Sequence, residues 1–197
     1  MTTKVVCVVR DDPDAVRARW RDTVVRAALG TPLDLPGVPP APVAAVDVLW
    51  FAGEPSVPSL ALGPGSVAVA VEEVVQRGAD ALAAHRAGGG DGLKMMSFGR
   101  RNPALSPAEF AARWQREAGR LGGEPIPDEL RGFAYAQGHP APGPDPDPGF
   151  DAVNEVWFDR LDDLRRRALW FAARPVPADL WSPSECWSVC LREELLG

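Results

Sequence analysis

Apolar positions along this chain fall into short β-branched runs separated by stripes of helical period. Lys4–Arg10 is β-branched and apolar and reads as a strand. Asp12-Pro13 fits an N-cap followed by proline in the first turn. Val16, Trp20 and Val24 recur at i, i+4 and i+8, which predicts an amphipathic helix that Gly30 would end. Prolines dominate Thr31–Pro42 and disfavour regular pairing. Ala44–Phe51 and Ser66–Val75 predict two further strands, whereas Pro55–Pro64 carries no helical pattern. Gly78–Gly92 is small and polar, with a helical turn expected around Ala79–His85 and a flexible Gly88-Gly89-Gly90.

The later half is patterned more sharply. Leu93–Gly99 predicts a strand. Ser106–Leu121 predicts a helix with Ser106 and Glu109 as a capping box, Pro107 at its first position, Phe110, Trp114 and Ala118 on one face, and Gly122-Gly123 as its stop. Arg131–His139 predicts a strand, Pro140–Gly149 a proline-aspartate loop, and Phe150–Phe158 a strand. Asp159–Ala173 predicts a helix with Leu161, Leu164 and Ala168 inward, ended by Pro175 and Pro177, and Trp187–Leu196 a last strand. The order is β-α-β-β-α-β, the ferredoxin-like arrangement.

The earlier half reads as a degenerate copy of this unit. Lys4-Val5-Val6 with Arg10 and Pro13 parallels Lys94-Met95-Met96 with Arg100 and Pro103. Arg19-Trp20 parallels Arg113-Trp114, and Ala45–Phe51 lies over Ala152–Phe158. Glu72-Glu73-Val74-Val75 lies over Glu193-Glu194-Leu195-Leu196. The expected class is therefore α+β: a degenerate ferredoxin-like repeat over 1–76, a linker over 77–92 and a second repeat over 93–197. Helices on one side of each sheet would leave the other side apolar, and two such sheets facing each other would bury it.

Composition narrows the functional classes. A formal net charge of -6 disfavours a nucleic-acid footprint. Arg165-Arg166-Arg167 follows Asp162-Asp163 and reads as a solvated mixed-sign face. Three cysteines, an odd number, in a chain opening without an apolar signal region point to a reducing cytoplasm. With two histidines there is no zinc spacing, and no apolar run is long enough to span a membrane.

Candidate chemistry concentrates in the later half. Alternation along Arg131–His139 puts Arg131, Phe133, Tyr135, Gln137 and His139 on one face and Gly132, Ala134, Ala136 and Gly138 on the other. The large face suits the wall of a ligand cavity, or ordinary packing that ties down loops. His139 has the pKa range for proton transfer, or is a solvated strand-end histidine. Glu155, in an apolar strand beside Val153 and Trp157, is either a desolvated general base or a carboxylate satisfied by a cation such as Arg100 or Arg131. Its counterpart in the earlier half is Val48. Arg100 and its neighbours bind an anion or face water. Trp20, Trp50, Trp114 and Trp157 recur at matching places, which favours packing over ligand stacking. No phosphate loop, nucleophile elbow or metal cluster is present.

Lys94–Pro103, Arg113-Trp114-Gln115-Arg116-Glu117, Arg131-Gly132-Phe133 through Gln137-Gly138-His139-Pro140, and Asp151–Asp162 resemble an EthD domain of the dimeric α/β-barrel superfamily. The match covers residues 93–172, and the earlier half joins it only through the repeat. Ala118-Gly119 stands where the family usually carries His-Gly, and Gly138 where it carries asparagine. The resemblance implies a barrel closed within one chain, monomeric or homodimeric. It also implies a tailoring enzyme without metal, nucleotide or other cofactor: a dehydratase, cyclase, isomerase or cofactor-free oxygenase acting on a flat, hydrophobic, oxygenated molecule. In that reading His139, Glu155 and Tyr135 carry the chemistry, and Arg131, Phe133, Gln137, Arg100, Trp114 and Trp157 line the substrate. The competing class is a non-catalytic small-molecule binder, and a heme-dependent relative is disfavoured by the scarcity of histidine.

Overall fold

A computed structural model describes residues 2–20, 23–53, 64–141 and 149–196. Within them the elements are β1 (Thr2–Val9), α1 (Pro13–Trp20), β2 (Val24–Pro32), β3 (Ala45–Ala52), β4 (Val67–Arg77), α2 (Ala79–Gly88), β5 (Gly90–Gly99), α3 (Pro107–Arg116), the short pair β6 (Arg120–Leu121) and β7 (Glu124–Pro125), β8 (Ala134–Pro140), β9 (Ala152–Phe158), α4 (Leu161–Ala172) and β10 (Trp187–Leu196). Eight strands close into an antiparallel barrel in the order β1-β3-β2-β10-β5-β9-β8-β4. The Pro55–Pro64 reading and the Pro140–Gly149 loop fall largely outside the described residues.

The barrel comprises two four-strand runs, β4-β1-β3-β2 and β10-β5-β9-β8, joined at β2–β10 and β4–β8. The two sheets therefore do not stack as separate layers. They fuse at their edges, and closure leaves no unpaired ladder in the barrel. The sealed interior is apolar along most of its length, with Val6, Val48, Val71, Met96, Val153 and Leu191 among its buried residues.

Two helix boundaries differ from the sequence reading. The first helix stops at Trp20, and Val24–Pro32 is a strand. Both the Thr23 amide and the Thr23 hydroxyl donate to the Trp20 carbonyl, at 2.8 Å each, and turn the chain out of the helix. The β-branched run that follows is then claimed by pairing with β3 and β10. The helix from Ser106 ends at Arg116, ahead of β6. Its N-terminus is the expected capping box, with Ser106 Oγ accepting from the Glu109 amide and Glu109 accepting from the Ser106 amide. The stretch read as a linker holds α2 and the start of β5.

In α4, Leu164 and Ala168 are buried as expected, but Leu161 is 44% exposed. Arg167, read as part of a solvated basic run, is only 6% exposed.

Cross-strand register relates the two halves. Lys4 stands opposite Trp50 and Val71, and Lys94 opposite Trp157 and Leu191. Two residues further on lie Glu73, beyond Val71, and Glu193, beyond Leu191. In this register it is Glu73, not the Glu72 set over Glu193 in the sequence alignment, that stands to Lys4 as Glu193 stands to Lys94; a shift of one residue changes the face of the strand.

Candidate functional site

The residues nominated from sequence separate into three places. Tyr135 points outward from β8, beneath the helices of the later half. Glu155 and Trp157 point into the barrel. His139 sits at the far end of β8 against α3.

The barrel interior at one end is ionic rather than apolar. Lys4 binds both Glu73 and Glu155, and Lys94 binds Glu193 and, at 3.2 Å, Glu155. From α2, Arg86 makes a two-point contact with Glu73 at 2.7 and 2.8 Å, and His85 lies 3.3 Å from Glu193. The Trp157 indole donates to Glu193 at 3.2 Å. Two cation–carboxylate pairs related by the register, Lys4–Glu73 and Lys94–Glu193, are thus tied together by Glu155. Three cations balance three carboxylates, which is what makes such a burial tolerable.

Burial would raise the Glu193 and Glu73 pKa values. The adjacent cations and donors outweigh it, Lys94 and His85 for Glu193 and Arg86 and Lys4 for Glu73, and hold each carboxylate at about 2. Burial likewise opposes the charge on Lys94, but Glu193 and Glu155 keep its pKa above the ordinary lysine value. Glu155 is 1% exposed and neutralised by lysines rather than by Arg100 or Arg131.

The cavity lies on the opposite side of the sheet. A space of about 810 Å³ separates the outer face of β5, β8, β9 and β10 from α3 and α4. Ser97, Tyr135, Asn154 and Val156 form its floor, and Trp114, Phe171 and Trp181 its walls. The size and the aromatic surface match sites for small organic ligands, and charged side chains share the lining. On the floor the Tyr135 hydroxyl donates to Asn154 Oδ1 at 2.7 Å. Burial pushes the phenol up to about 12, so it stays protonated at neutral pH.

Glu117, one turn beyond Trp114, lines the same cavity and has a buried oxygen, Oε2, without a hydrogen-bond partner among the described residues. The sequence signal was available: Phe110, Trp114 and Glu117 fall at i, i+4 and i+7. Arg167 also lines it, at i+3 from Leu164 and beside Ala168.

The remaining nominated residues occupy other positions. Gln137 faces outward but is fully buried, donating to the Trp114 carbonyl at 3.2 Å and accepting from Gln76 at 2.8 Å; it fastens α3 and β4 to β8. His139 packs its ring 4.5 Å from that of Trp114, its Nε2 is buried without a hydrogen-bond partner among the described residues, and burial lowers its pKa, so the imidazole is neutral at pH 7. Phe133 leaves the alternation. Gly132 adopts φ +69°, the strand begins only at Ala134, and Phe133 turns toward α2, 5.7 Å from the His85 ring. Arg131 lines the cavity rim, its Nε donating to the Ile126 carbonyl at 2.9 Å and its Nη1 pairing with Asp128 at 2.7 Å. Arg100 follows β5 and its carbonyl accepts from the Ser182 amide at 2.9 Å.

Among the described residues no cluster of three histidine, cysteine, aspartate or glutamate side chains could hold a metal ion, and no helix is long and apolar enough to cross a membrane. No family model matches the chain, and no curated protein matches it significantly.

Proposed function

We propose that this chain takes a flat, apolar, oxygenated molecule into the cavity beneath α3 and α4 and transforms it as a metal- and nucleotide-independent tailoring enzyme of the EthD-like kind. The reaction classes that fit are dehydration, cyclisation, isomerisation and cofactor-free oxygenation. The reading includes a fold origin: two ferredoxin-like β-α-β-β-α-β copies fused into one dimeric α/β-barrel-like unit. The strand orders of the two halves and the paired Lys4–Glu73 and Lys94–Glu193 contacts support that origin.

The observation that carries the functional reading is the aromatic cavity with a protonated phenol on its floor and, on its wall, a carboxylate oxygen without a hydrogen-bond partner among the described residues. By exchanging its bond to Asn154 Oδ1, the Tyr135 hydroxyl donates to a substrate carbonyl or a developing enolate. Glu117 is a proton acceptor in the same space, which moves the base from Glu155 and His139 to the residue that follows α3. Trp114 supplies aromatic surface, and Gln137 holds α3 over the floor.

The test is turnover of polycyclic phenol or quinone panels by wild type, Tyr135→Phe and Glu117→Gln. The reading expects a loss of about 100-fold or more in kcat for Glu117→Gln, the scale of a general base. Unchanged kcat in both variants would refute it. The second reading is a non-catalytic binder. It is favoured by Glu155 being neutralised inside the barrel and by the absence of a histidine at Ala118. It expects binding without turnover.

A further inference from the structure

The cavity is charged against the grain of the whole chain. The protein carries a formal net charge of -6, yet Arg77, Arg113, Arg120, Arg131, Arg167 and Arg174 line this space against two carboxylates, Glu117 and Asp179. Three of the six are occupied elsewhere. Arg113 pairs with Asp179 at 2.5 Å, Arg174 with Glu124 at 3.5 Å, and Arg120 donates to the Gly123 carbonyl at 2.8 Å.

The other three converge near Tyr135. Arg77 donates to the carbonyls of Arg131 and Gly132, and Arg167 Nη1 donates to the neighbouring Leu130 carbonyl at 2.9 Å. Among the described residues the ion pair made by this group is Arg131–Asp128, and Asp128 is 87% exposed. Arg167 is 6% exposed, and its Nε is buried with no hydrogen-bond partner among the described residues. Burial, reinforced by Arg77 and Arg131, pushes the Arg167 pKa down to about 10, and burial followed by Arg131 lowers that of Arg77. A buried donor with no acceptor, inside a group of like charges, carries a standing cost that an anion would remove.

We infer that Arg77, Arg131 and Arg167 form a carboxylate-binding corner, so that the ligand of this cavity is a planar aromatic acid with its ring system under Trp114 and Phe171 and its carboxylate beside Tyr135. This rests on the small-molecule reading of the cavity and adds the ligand's charge. Planar guanidinium forks match a carboxylate's two oxygens. A phosphate is a poorer fit, because the corner presents the backbone carbonyls of Leu130, Arg131 and Gly132 rather than a cradle of N–H groups.

The experiment is calorimetric titration of the full chain with 2-naphthoate, its neutral isostere 2-naphthamide, and 2-naphthyl phosphate. Wild type is expected to bind naphthoate about tenfold or more tighter than naphthamide, the scale of a charge-assisted hydrogen bond. Arg167→Gln is expected to remove that preference by weakening naphthoate at least about tenfold more than naphthamide. Arg131→Gln, at the exposed rim, is expected to reduce it and serves as the folded reference if Arg167→Gln is unstable. Equal affinity for naphthoate and naphthamide, or an equal loss of both in the variants, overturns the carboxylate corner and leaves the cavity reading standing. Tighter binding of the phosphate than of naphthoate also overturns it. Failure of all three probes to bind overturns the small-molecule reading, and the corner with it.

Discussion

Replacing Glu155 with valine tests the logic of the ionic end of the barrel. In the native protein Lys4, Lys94 and Arg86 balance Glu73, Glu155 and Glu193. Removing Glu155 leaves one surplus positive charge in a space where both lysines are at most 5% exposed. An uncompensated buried charge costs about 3–5 kcal/mol. For a chain of this size that corresponds to a fall in Tm of very roughly 6–20 °C. The same reasoning fixes the rescue. Lys4→Met alone leaves a surplus negative charge, but the double variant leaves Lys94–Glu193 and Arg86–Glu73 intact and neutral. Urea denaturation at pH 7 of the two single variants and the double should give a coupling of at least about 2 kcal/mol, with the double more stable than the sum of the singles predicts. Strict additivity, or a Glu155→Val variant within about 1 kcal/mol of wild type, the ordinary size of a point-mutant effect, would refute charge balance as the reason these groups are tolerated inside the barrel.

Three further outcomes follow from the geometry. Glu73 and Glu193 titrate at about 2 when folded against an ordinary 4.5, so their contribution is complete above pH 4.5 and is lost as pH falls toward 2. Acid titration of stability should show a loss of about 3 kcal/mol per carboxylate in that window, and none above pH 5.5 from these groups. Gly132→Ala should destabilise by about 2–4 kcal/mol in chemical denaturation, because the residue sits at φ +69° and a Cβ there would lie 2.2 Å from the Trp157 carbonyl oxygen. Ser106→Ala should cost about 1 kcal/mol by removing the cap of α3, with Asn at the same position restoring most of it.

Much of the fold was legible in local pattern. The capping box of α3, the apolar runs of β3, β5, β9 and β10 and the body of α4 are written in residues that act over a few positions, so period and cap chemistry locate them. The strand at Val24–Pro32 was not legible, because Val16, Trp20 and Val24 also satisfy a helical stripe. What decides between them is a pairing with β10, more than 150 residues away in sequence, which no local propensity encodes. The candidate site divides in the same way. Alternation along β8 separates small from large side chains correctly from Ala134 onward, since Ala134, Ala136 and Gly138 share one face of a regular strand. Alternation cannot say which face is inside. Barrel closure decided that: the interior admits only small residues on β8, where a Cβ at Gly138 would come within 2.7 Å of Val153. Tyr135 is thereby sent out beneath the helices, and Glu155 and Trp157 of the neighbouring strand are drawn in. Helical spacing places Glu117 on the face of Phe110 and Trp114, and Arg167 beside Ala168, but it does not assign either one a role. Each is a charged residue on an otherwise apolar helix face, and sequence alone does not distinguish a charge at the edge of water from one at the wall of a cavity. The chain's own residues determined which segments become helices and strands wherever the signal is short-range. Only closure of the sheet on itself determined what each face meets, because that depends on atoms brought together from opposite halves of the molecule.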